Sequence, residues 1–122
     1  MNRTLENRSD LEIIFRNFYQ KAMVDIKIGY FFTKIIPIDL ETHLPHILDF
    51  WEYNLWGKKN YSKNLIQIHL NIHKKSRLNY DHFDRWVQLL HECVDSDFYG
   101  TSAERLKTNA LSIATVMKTK VN

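Results

Sequence analysis

Tyr19, His43 and His69 are polar side chains that fall on or beside surfaces the sequence marks as apolar. Tyr19 follows Phe18 on a segment whose apolar residues recur at Leu11, Ile14, Phe15, Phe18, Ala22 and Ile26, the helical period. A phenol hydroxyl carried into a core is costly to bury alone, so Tyr19 needs a buried partner. His69 shares a stripe with Leu65, Ile68 and Ile72. An imidazole so placed either bonds a buried neighbour or, in its neutral form, ligates a metal. His43 stands above Ile47, Phe50 and Trp51 on one helical face. His43 with His46, and His69 with His73, have spacings that suit zinc on a helix. A structural zinc site takes about four ligands, however, and no cysteine or carboxylate cluster completes either pair. His46, His73 and His91 therefore read as surface residues, and Cys93 as a small core residue.

The elements that must position these groups are helical. Ser9 and Glu12 suggest a capping box for the first helix, which should yield near Lys27 to Gly29. Gly29-Tyr30-Phe31-Phe32 then reads as a tight turn that delivers aromatics inward. A second helix runs from Asp39 or Thr42 to Gly57, where glycine can end it. Pro45 favours Thr42 as the cap, because a proline is tolerated in the first turn and not in the interior. Residues 58–63 form a polar connection to a short helix over 64 to about 72, which carries His69. The loop 74–79 leads to a helix from 81 to about 96 with Phe83, Trp86, Val87, Leu90 and Val94 on one face. Beyond Gly100, Thr101 and Glu104 suggest another capping box. The last helix then shows Ala103, Leu106, Ala110, Ile113, Ala114 and Met117. Five helical segments result, with no strand. The stretch 26–38 is apolar, but no partner strand exists for it.

Composition sets the bounds. The 122 residues make one domain, read as a tail over 1–8 and a folded unit over 9–122. Apolar residues at 44%, with only three Gly and two Pro, exclude a disordered or loop-rich chain. Aromatics at 13% suggest a core with bulky walls, such as a flat cofactor requires. A net charge of +3, scattered along the chain, does not predict nucleic-acid binding. The basic stretches Lys58-Lys59 with Lys63, and Lys74-Lys75 with Arg77, read as solvated faces. No apolar run is long enough to span a membrane, and the polar N-terminus has no signal region behind it. A lone cysteine fits a reducing compartment, and cytoplasm is the simplest location.

Taken in order, these residues resemble the truncated haemoglobins, and most of all the third of their three groups. The resemblance rests on Phe18-Tyr19, on Phe32 at the turn, and on His43 seven residues before Phe50-Trp51. It extends to Tyr61 eight residues before His69, and to the His82-Phe83-Asp84-Arg85-Trp86 run. Together these cover residues 9–120 or so. The family often has a Tyr-x-Gly-x-Pro pattern ahead of the ligating histidine; here Lys63 and Leu65 occupy those places.

The resemblance implies an all-α fold, the shortened globin, in which a two-over-two helical sandwich holds haem b. His69 would ligate the iron, and Phe32, His43, Ile47, Trp51 and Tyr61 would line the cofactor. One of the basic stretches would meet the propionates. O2, NO or CO would bind on the opposite face, where Tyr19, His43 and Trp86 would meet them. His43 would either bond the ligand or gate its entry. The same chemistry extends to NO dioxygenation or a peroxidase-like activity. Either would need an external reductase, since nothing in the chain reads as a flavin or nicotinamide site. The rival is a non-haem helical interaction module whose aromatics are only core. A Soret absorption band separates the two.

Overall fold

The computed structural model describes residues 2–35, 39–58 and 78–120. Helix α1 (Arg8–Met23) is capped by Asn7, whose side chain accepts the Asp10 N–H at 3.1 Å. The cap thus lies two residues before the expected Ser9. Asn7 competes on equal terms as a cap, and Glu12 is engaged elsewhere, in an ion pair with Arg16 at 2.8 Å. The buried face of α1 is Leu11, Ile14, Phe15, Phe18, Tyr19 and Ala22. Ile26, expected on the same stripe, is 98% exposed, because α1 stops at Met23 and the helical register is lost beyond it. A wide helical turn, Phe31–Ile35, follows and buries Phe31.

Helix α2 (Leu40–Trp56) begins at Asp39, whose carboxylate accepts the Glu41 N–H at 3.2 Å and the Thr42 hydroxyl at 2.9 Å. Thr42 is therefore inside the helix and not its cap. Pro45 falls in the second turn, at the loss of one backbone hydrogen bond. Gly57 ends the helix with φ 73°, a left-handed conformation that glycine adopts without strain. Helix α3 (Tyr80–Asp97) starts one residue before the expected position. Asn79 and His82 form a reciprocal capping box there. Helix α4 (Thr101–Lys120) buries Ala103, Leu106, Ala110, Ala114 and Met117. Its first turn is closed by the Glu104 N–H on the Gly100 carbonyl at 3.0 Å, so Thr101 is the first helical residue and not a side-chain cap.

Helices α1 and α2 form one layer and α3 and α4 the other. The contacts of α1 with α3 and of α2 with α4 join the layers. Two short strands were not expected. Arg3–Thr4 (β1) pairs in parallel with Phe98–Tyr99 (β2), and Leu5 is buried in the core. Residues 3–5, which read as tail, are thus packed into the domain. Arg3 pairs with the buried Asp10 and lies over the Phe98 ring at 5.1 Å. A second ionic knot joins the layer-forming helices: Arg8 at the start of α1 reaches Asp49 at 2.8 Å and Glu52 at 2.5 Å near the end of α2. Glu52 is only 3% exposed and also meets Lys58 at 3.0 Å. Burial works to raise its pKa, but the hydrogen bonds from Arg8 and Lys58 prevail and hold it below the usual carboxylate range.

Candidate functional site

Tyr19 is carried inward by the apolar stripe of α1 and is 5% exposed. Its hydroxyl lies 3.1 Å from Nε2 of His43, which projects from the first turns of α2. The two rings meet edge to face at 5.6 Å. Phe32, from the turn after α1, packs edge-on against the Tyr19 ring at 5.6 Å, and Phe18 does so at 5.1 Å. Three elements thus converge on one phenol. Burial pushes the Tyr19 pKa far up, so the hydroxyl keeps its proton throughout the ordinary pH range.

The other expected residues that the structure describes are Ile47, Trp51 and Trp86. Ile47 lies one turn along α2 from His43 and is half-buried against the core. Trp51 is buried, stacked on Phe15 at 5.9 Å and edge-on to Phe50 at 5.2 Å. Trp86 packs half-buried against the core from α3, and it makes neither ring contact nor hydrogen bond with Tyr19. Tyr61 and His69 lie outside the described residues, as do Lys63, Leu65, His73 and the basic stretch 74–77. Cys93 is buried, and burial raises its thiol pKa. His46 is exposed, while His91 is half-buried, its Nε2 3.0 Å from the Lys107 carbonyl oxygen.

Two features escape the sequence reading. His82 uses Nδ1 to accept the Asn79 N–H at 3.1 Å, and its ring packs on Phe31 at 4.8 Å. The spacing Asn79-x-x-His82 is the legible signal for that cap. Asp25 and Arg85, 60 residues apart, form an ion pair that no local pattern announces.

The architecture is thus an all-α sandwich of two helices over two, with a tyrosine and a histidine bonded inside it. The chain is similar to the crystal structure of group III truncated hemoglobin from Campylobacter jejuni, with a TM-score of 0.86 at 21% identity. The match covers 100% of this chain and 96% of that one, so the fold is that of a truncated globin. No protein-family model matches the sequence, and no curated protein does either. No described helix is long and apolar enough to cross a membrane.

Proposed function

We propose that this protein binds haem b and, through it, diatomic ligands such as O2, NO and CO, in the cytoplasm. The observation that carries the reading is the buried Tyr19–His43 hydrogen bond, walled by Phe18 and Phe32, within a truncated-globin fold. The residues suit the cofactor. Phe32 and Ile47, both half-buried, offer apolar surface for a flat macrocycle, Trp51 would back it from the core beside Phe15, and Tyr19 and His43 offer polar groups. His69 would be the iron ligand, and Tyr61 would line the cofactor. When bound, haem iron supplies one open coordination position for a small ligand.

The chain's own residues then decide how that ligand is held. A hydroxyl has one proton, so the imidazole tautomer sets its direction. With the proton on Nε2, His43 donates to the Tyr19 oxygen, and the Tyr19 proton is free to turn to the ligand. With the proton on Nδ1, His43 accepts the Tyr19 proton instead. The first arrangement forms a donor chain in which each bond polarises the next. The indole N–H of Trp86 would be a further donor from α3. Ligands that gain negative charge on binding would be retained most strongly. Any redox turnover would draw electrons from a separate reductase.

The deciding experiment is the absorption spectrum of purified protein titrated with haemin. A Soret band that saturates at one equivalent is expected, and His69→Ala should lose the haem or hold it weakly. No Soret band overturns the reading in favour of a helical interaction module. An unaltered five-coordinate ferrous spectrum in His69→Ala removes His69 as the ligand.

A further inference from the structure

Beyond Met23 the chain folds back tightly on the end of α1. The Asp25 N–H bonds the Ala22 carbonyl at 3.2 Å, and the Gly29 N–H bonds the Asp25 carbonyl at 3.0 Å. A Cβ at Gly29 would lie 2.7 Å from the Met23 carbonyl oxygen, so only glycine allows this approach. The Asp25 carboxylate braces the turn from within. Its Oδ2 accepts the N–H groups of Lys27 at 3.0 Å and Ile28 at 3.2 Å.

The other oxygen reaches across to α3. Oδ1 receives Nε of Arg85 at 2.9 Å and Nη2 at 2.7 Å, while Nη1 of Arg85 bonds Gln88 Oε1 at 2.9 Å. The Asp25 side chain is 7% exposed and that of Arg85 29%. The hydrogen bond from Arg85 is the main reason that the Asp25 pKa lies below its ordinary value. An arginine fork held at two nitrogens restrains direction as well as distance. A partly buried pair of this kind adds little net stability over apolar residues of equal volume. Its best-attested use is to fix register.

The register here concerns the Tyr19–His43 site. The braced turn leads directly to Phe31 and Phe32, and Phe32 packs on Tyr19. Phe31 packs on His82, so α3 grips this segment at His82 and again at Arg85, three residues on. Trp86 is the next residue of α3. We propose that Asp25 and Arg85 are positioning residues. Their clasp sets the spacing between Trp86 on α3 and the Phe32–Tyr19–His43 cluster, and hence how the two sides meet a diatomic ligand. The ligand half rests on the haem reading; the spacing half rests on the Asp25–Arg85 and Phe31–His82 contacts.

Two variants test it. Asp25→Asn retains an acceptor for the Lys27 and Ile28 N–H groups but removes the charge. Arg85→Lys keeps the charge and loses the fork, and it carries the test alone if Asp25→Asn fails to fold. The readouts are the three tryptophan indole N–H resonances of the purified protein and, with haem and CO bound, the C–O stretching band. The Trp86 resonance should shift or double while those of Trp51 and Trp56 on α2 stay in place. The C–O band should shift or broaden, and O2 release should speed severalfold. An unmoved Trp86 resonance and C–O band in folded variants overturn the proposal. So do equal shifts of all three indoles, which would mark a general stability contact. If no Soret band forms, the haem reading fails, and the Trp86 resonance by itself decides the spacing.

Discussion

Tyr19 and His43 give the most direct tests at the scale of single residues. A hydrogen bond to a charged acceptor is worth about 1.5–3 kcal/mol. Under the haem reading, if that energy appears in dissociation, Tyr19→Phe should speed O2 release by about 10- to 150-fold, each ~1.4 kcal/mol being a factor of ten. The lower end is expected, because the Trp86 indole N–H would be a second donor towards the ligand. Release of CO, which gains less charge on binding, should change less. Flash photolysis and stopped-flow mixing read both rates, and equal changes for the two gases would make Tyr19 a packing residue. The same bond makes a prediction free of any ligand. His43→Leu leaves a buried hydroxyl without this partner and should destabilise the fold by about 1–3 kcal/mol. Tyr19→Phe in that background should recover part of the loss. A denaturant double-mutant cycle measures the coupling, and additive effects would count against the bond.

At the scale of elements, the start of α3 is sensitive to pH. His82 accepts the Asn79 N–H through Nδ1, which only the neutral ring can do. Burial against Phe31 and Tyr30 is the main reason that its pKa lies below its ordinary value of 6.5; nearby Asp81 opposes the shift and Lys27 adds to it. The folded state thus favours the neutral form. Its contribution to stability is fully present above the unfolded imidazole pKa and fades as pH falls through the lower, folded value. His82→Gln supplies a side-chain acceptor that does not titrate. Thermal melts between about pH 5 and 7.5 should show the variant losing less stability on acidification than the parent. Parallel pH profiles would mean that the cap does not titrate.

At the scale of the molecule, ionic knots as well as apolar contact hold the elements together, within a layer and between layers. Arg8 joins the start of α1 to the end of α2 through Asp49 and Glu52. Its removal in Arg8→Ala leaves the buried Glu52 with Lys58 as its remaining cation partner among the described residues. The loss should fall between the ~1 kcal/mol typical of exposed pairs and the ~3–5 kcal/mol of breaking a buried one. Urea titration measures it, and Arg8→Ala/Glu52→Gln should be less destabilised than Arg8→Ala alone. A neutral Arg8→Ala would show the knot to be solvated.

Helices are legible in the chain wherever an apolar stripe repeats every 3.6 residues. The buried faces of α1, α3 and α4 follow Leu11 to Ala22, Phe83 to Val94 and Ala103 to Met117, and Gly57 ends α2. Periodicity says little about ends, because Asn7, Ser9, Asp39 and Thr42 are comparable caps. Their neighbours, Glu12 with Arg16 and Leu5 in the core, select among them. The pairing of β1 with β2 left no trace, since two residues have no period. The site divides in the same way. Residue type singles out Tyr19, Phe32 and His43 one at a time, with the family resemblance to connect them. Only tertiary structure brings a phenol and an imidazole 24 residues apart to 3.1 Å, and closes Asp25 on Arg85 across 60. Such bonds depend on how whole helices lie against one another, and no local pattern records that.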